Sequence, residues 1–209
     1  MDRQGFRDFQ TAWSHFHDGH VPIAHLMRDS GAKHWQRFHS LPESKRYPAS
    51  KEEMRSVIAR ATAMAYATLG REDAWLVTTT FEEDEGKIEP APADIERWLQ
   101  RQERRRKRRF QRYAVRPAGM AFRGDEDDGS WSIHAALVRW GDRRFLPLLR
   151  EIALDVDRAG GNWLWMSNRT GAVFAPYDGG ADLFLPTPDD VVRARTRWAD
   201  WLSADPSGL

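Results

Sequence analysis

The run from Asn162 to Leu202 leaves this chain little freedom of fold. It reads Asn-Trp-Leu-Trp-Met-Ser, a turn at Asn168-Arg-Thr-Gly171, then Ala-Val-Phe-Ala-Pro-Tyr177. A second turn, Asp178-Gly-Gly180, leads into Ala-Asp-Leu-Phe-Leu185. Short aromatic and aliphatic runs parted by Asn/Gly and Asp/Gly clusters specify a three-stranded antiparallel meander. Thr187 then fits a helix N-cap and Pro188 the first helical position, with Asp189 and Asp190 at the positive end of the helix dipole. Val191, Ala194, Trp198 and Leu202 give that helix its apolar stripe.

Upstream, Phe6, Phe9, Trp13 and Phe16 recur at helical spacing and predict a helix over 5–17, stopped by Gly19. Ile23, Leu26 and Met27 predict a short second helix. Trp35–His39 alternates as a strand, with Trp35, Arg37 and His39 on one side and Gln36 and Phe38 on the other. A polar loop bracketed by prolines follows, 40–48. Ser50 with Glu53 three residues on has capping-box spacing, and Met54, Val57, Ile58, Ala61, Ala65 and Leu69 carry a helix to Gly70. Trp75–Phe81 is rich in aromatic and β-branched residues and reads as a central strand.

Residues 93–112 read as a helix with Ile95, Trp98 and Leu99 packing inward. Residues 114–122 read as an edge or irregular strand, because of Pro117 and Gly119, and 130–140 as another strand. Phe145, Leu148, Leu149, Ile152, Val156 and Ala159 form a helical stripe that Gly160-Gly161 ends. Acidic loops at 82–85 and 125–129 flank a charged, insertion-like segment, about 82–129. The order of elements gives an α+β fold: a mostly antiparallel sheet, closing in the C-terminal meander, packed against several helices. The expectation is a single domain over 1–209, with 162–202 as meander plus C-terminal helix.

Lysine and arginine number 32 against 31 aspartates and glutamates, so no global field steers polyanions. Cysteine is absent, which removes disulfides and thiolate metal sites and suits a reducing cytoplasm. No apolar run approaches a membrane span. No glycine-rich phosphate loop, nucleophile elbow or dinucleotide fingerprint occurs, so no cofactor and no catalytic residue is implied. Six of the seven histidines lie in the first 39 residues, but their spacing is no metal signature. Asp125-Glu-Asp-Asp-Gly is no calcium loop either: its glycine comes a place early and Ala136 holds the position of the bidentate glutamate.

Two clusters remain as candidate sites. Arg37, His39, Ser40, Lys45, Arg46 and Tyr47 gather in and around one loop. Guanidinium forks and an ammonium there can hold an anion, joined across the fold by Tyr177 and Asp178. The same residues also read as a solvated loop pinned by ion pairs, with Asp178 or Asp182 meeting Arg46 or Lys45. The second cluster is Arg101–Arg116, with nine basic residues and one glutamate. Arg104, Arg105, Arg106, Lys107, Arg108, Arg109 and Arg112 beside Phe110 and Tyr113 have the composition of a nucleic-acid contact. A solvated basic helix face has it too.

Trp35-Gln-Arg-Phe-His-Ser-Leu-Pro-Glu-Ser-Lys-Arg-Tyr-Pro48 and Gly171–Asp182 with Trp198-Ala-Asp-Trp-Leu202 resemble a family of uncharacterised bacterial proteins, the domain of unknown function 3885. Residues of about 163–202 carry its defining segment. The resemblance implies a bacterial origin and no reaction, ligand or partner. The leading functional expectation is therefore a non-enzymatic module that binds another protein, with an immunity- or antitoxin-like role as one version. Nucleic-acid binding through Arg101–Arg116 is the first alternative. An enzyme or sensor for a small anion at the Arg37–Tyr47 loop is the second.

Overall fold

The computed structural model describes residues 7–83, 93–123, 129–141, 143–154 and 162–203. The expected contributions of Phe6, Val156, Ala159 and Gly160-Gly161, and residues 84–85 and 125–128 of the acidic loops, lie outside them.

Local chemistry sets the element boundaries. Asp8 caps helix α1 (Phe9–His17) by accepting from the Thr11 amide. Helix α2 is Ala24–Asp29. Helix α3 (Lys51–Leu69) starts where Ser50 Oγ accepts from Glu53 N and stops at Gly70, whose φ of 70° ends the helical run. The Glu53 carboxylate reaches back to the Ala49 amide at 2.6 Å, one residue earlier than the usual capping box places it. Helix α4 is Ala93–Tyr113 and α5 is Leu146–Ala153. Thr187 caps α6 (Pro188–Arg197) through the Asp190 amide.

Seven strands form one sheet in the order β1-β7-β6-β5-β2-β4-β3, every pair antiparallel. They are β1 (Trp35–His39), β2 (Asp73–Glu83), β3 (Arg116–Phe122), β4 (Gly129–Arg139), β5 (Leu164–Ser167), β6 (Val173–Tyr177) and β7 (Gly180–Phe184). The last three are the expected meander. Strand β1 returns from the N-terminal region to close its edge, pairing Arg37 with Asp182 and His39 with Gly180. Strand β3 forms the other edge, and its register shifts between Pro117 and Ala121. Proline and glycine weaken a ladder in this way.

Helices cover both faces. Alternate residues of β2 go to opposite sides: Ala74 and Leu76 join α3, α5 and Trp198, while Trp75 and Val77 join α1 and Met27. Two-sided covering explains why β5 and β7 are buried at every position. The first core is largely aromatic. Trp165 meets Trp140 edge-on at 5.4 Å, and Tyr113 stacks on Phe145 at 5.7 Å.

One expectation fails. Ile95, Trp98 and Leu99 do not pack inward: they are 46%, 43% and 49% exposed. They continue the stripe on which Phe110 and Tyr113 meet the core, but the helix runs past the core's edge before reaching them. Periodicity names the face of a helix and says nothing of how far its partner extends.

Candidate functional site

The strand register brings together most of the first cluster. Arg37, His39, Asp182 and Tyr177 project from the sheet face shared with α1 and α2, since residues opposite one another in a ladder share a face. Arg37 donates from Nε and a terminal nitrogen to both oxygens of Asp182, at 2.8 and 2.9 Å. Its guanidinium also lies 4.8 Å over the Tyr177 ring. On its other flank, Arg37 and Arg28 both approach the Trp35 ring at 5.8 Å.

Arg46 reaches buried Asp178 at 2.5 Å. The Ser40 amide donates to Gly179 O at 2.9 Å and ties the β1 end to the β6–β7 turn. Lys45 turns away and clasps Glu53 at 2.6 and 2.8 Å. Tyr47 is exposed and lies under Arg46. Glu43 and Ser44 in the same loop both hold a left-handed φ of 55°, a strained backbone for side chains of their kind.

The cluster thus has Arg37, Lys45 and Arg46 each on a carboxylate. Its spare hydrogen-bonding capacity lies elsewhere. Tyr177 and His39 share a row across Gly180, which has no side chain to part them. Tyr177 Oη and His39 Nε2 are both buried and lack a hydrogen-bond partner among the described residues. Burial pushes the tyrosine's pKa well up, so its hydroxyl stays protonated. Burial, then the Arg37 charge, pushes the His39 pKa down. Neutral histidine and protonated tyrosine can orient a hydrogen-bonding group, but neither is an activated nucleophile here. The sequence reading missed the Arg37–Asp182 pair. The alternation that puts Arg37 on one side of the strand with Trp35 and His39 was its only signal. Among the described residues no group of three His, Cys, Asp or Glu is placed to hold a metal ion.

The second cluster divides by helix geometry. At 3.6 residues per turn, Arg97, Arg101, Arg104, Arg105, Arg108 and Arg112 fall within a sector of about 100°, spanning about 22 Å of axis. All six are exposed. No carboxylate lies on that sector from Arg97 to Arg112. Arg106 and Lys107, on other faces, pair with Glu103. Arg109 pairs with Glu151 of α5 at 2.7 Å and, with Phe110 and Tyr113, anchors the C-terminal half of the helix. Arg101, Arg104 and Arg108 make no ion pair among the described residues. Of the exposed Ile95, Trp98 and Leu99, Trp98 flanks this arginine face, one turn before Arg101, and the other two lie further round the helix.

The architecture defines an α+β protein: a seven-stranded antiparallel sheet between two helical layers, with one basic helix standing out from its edge. The chain belongs to the family described as a domain of unknown function, DUF3885, whose family model matches residues 23–206. The match therefore takes in β1 and both clusters, well beyond the 163–202 segment that carried the resemblance. No curated protein and no solved structure matches the chain. Among the described residues no helix is long and apolar enough to cross a membrane.

Proposed function

We propose that the protein is a non-catalytic binding module that takes an acidic partner protein along helix α4. The observation that carries this reading is the exposure of Ile95, Trp98 and Leu99 on a helix that also carries a six-arginine face, with Trp98 next to it. Apolar anchors at i, i+3 and i+4 are what a helix lays into a partner's groove, and tryptophan and arginine are the side chains most often dominant in such contacts. The arginines set orientation and association rate against an acidic rim. The reading makes no use of the Arg37–Tyr47 loop, whose cations already lie on carboxylates. An immunity- or antitoxin-type module is one form of it.

Nucleic acid is the second reading, favoured by Arg101, Arg104 and Arg108, which have no ion-pair partner among the described residues. The test separates the two. Full-length protein is used to capture ligands from lysate at low and high salt, alongside Trp98→Ala/Leu99→Ala and Arg101→Gln/Arg104→Gln/Arg108→Gln variants. A stoichiometric protein that survives high salt and is lost with Trp98 and Leu99 supports the first reading. Nucleic acid released by salt, lost with the arginines and indifferent to Trp98, replaces it with the second. Retention that neither variant changes removes α4 from both.

A further inference from the structure

Helix α6 stands off the sheet. None of its residues from Pro188 to Arg197 is buried, and the helix is held to the core by Trp198 just beyond its C-terminus, by the half-buried Ala194 and by a hydrogen bond from Arg195 to Gln36 Oε1. The gap is a groove of about 520 Å³ between α6 and the last turns of α3, over β7. Leu185 forms its floor, above the fully buried Leu183 and the nearly buried Trp198. Ala67 on α3 and Ala194 on α6 carry too little side chain to bridge it. That volume lies within the range of small-molecule sites, roughly 300–1,000 Å³.

The polar lining residues are Thr68, Asp190, Arg193, Thr196 and Arg197. Thr68 is buried in the α3 wall, and its hydroxyl has no hydrogen-bond partner among the described residues. Arg193 and Arg197 stand one turn apart on the α6 side. Arg193 is engaged by Asp190, whereas Arg197 lies 5.2 Å over the Trp198 ring and makes no ion pair among the described residues. An apolar floor with an unmatched guanidinium at its edge suits a ligand with an apolar body and a planar anionic head, because the arginine fork takes a carboxylate on two nitrogens.

We propose that this groove binds an amphipathic carboxylate, with its hydrocarbon body on Leu185 between Ala67 and Ala194 and its carboxylate on Arg197. The site is separate from α4 and stands or falls without it. Decanoate is the probe, titrated into the full-length protein by calorimetry, with the methyl resonances of Leu183 and Leu185 followed by NMR. The expected result is saturable 1:1 binding that moves both leucines. Decanol should bind at least about tenfold more weakly, since it lacks the charge that Arg197 would meet. Arg197→Gln should weaken decanoate about tenfold and leave decanol unchanged. Ala67→Trp, at an exposed position, should fill the groove and abolish both without changing the circular dichroism spectrum. No saturation, binding that Ala67→Trp leaves intact, or equal affinity for decanoate and decanol would overturn the proposal.

Discussion

Arg37 and Asp182 are 145 residues apart in sequence and face each other across the β1–β7 ladder, joined by two parallel hydrogen bonds of 2.8 and 2.9 Å. Their side chains are only 16% and 4% exposed, so neither charge has water to fall back on. Removing one partner of such a pair leaves a buried charge unmatched, which costs about 3–5 kcal/mol. Asp182→Ala should lower the urea-derived stability by that amount. Replacing both at once, as Arg37→Met/Asp182→Leu, should restore most of it, because the desolvation cost of both ions disappears with them. A double variant no more stable than Asp182→Ala would mean that the pair holds more than its own charges.

Tyr177 tests the other half of the cluster. Its hydroxyl is buried without a partner, and its ring, not its oxygen, is what Arg37 lies over. Tyr177→Phe keeps the ring and removes the unmatched group. Its expected effect on the urea midpoint is neutral or a gain of about 1 kcal/mol. A loss of that size instead would show that the hydroxyl has found a bonding partner in solution.

The sequence carries those parts of the fold whose chemistry is local. Ser50 and Glu53, Thr187 and Pro188, and the Asp178-Gly179 turn each specify their element within four residues, and each appears where the pattern places it. What alternation and periodicity lack is reach. They put Arg37 on one side of β1 with Trp35 and His39, but not β1 beside β7, so Asp182 is set against Arg46 or Lys45 and not against Arg37. They put Ile95, Trp98 and Leu99 on the same stripe as Tyr113, but not beyond the core's edge. Pairing across the sheet is decided by burying both its faces at once, which no single stretch encodes.

Acid should weaken the fold before the carboxylates titrate. Burial is the largest influence on the partly buried His17 and His134 and on the buried His39, and holds all three below the ordinary value of 6.5. Arg37 adds to this for His39 and Arg106 for His134. Asp182 opposes it at His39, Glu82 opposes it at His134, and the hydrogen bond to Gly171 O opposes it at His17. With pKa values depressed in the folded state, the unfolded chain binds more protons below 6.5. The stability these neutral histidines confer is complete above that pH and is lost as pH falls toward the folded values. Urea midpoints should decline from pH 7 to pH 5, and His39→Leu should flatten the slope of that decline whatever it does to the midpoint. An unchanged slope would mean that His39 is not neutral in the fold.

Two tryptophans give opposite expectations from one substitution. Trp198 is 5% exposed, meets Phe38 edge-on at 5.3 Å and stacks on Trp201 at 5.4 Å. Trp198→Ala removes the largest attachment of the α6 segment to the core and should cost about 3–5 kcal/mol. Trp98, on the exposed half of α4, is 43% exposed and packs against none of the core clusters, and Trp98→Ala should change stability by no more than about 0.5 kcal/mol. The asymmetry bears on function. A large exposed aromatic that contributes nothing to folding is free to serve contact with a partner, whereas one that destabilises when removed is part of the core. Chemical denaturation of the two variants side by side decides between these roles. A cost above about 2 kcal/mol for Trp98→Ala would show that this half of α4 is packed in solution, and would take from the binding proposal the exposed surface on which it rests.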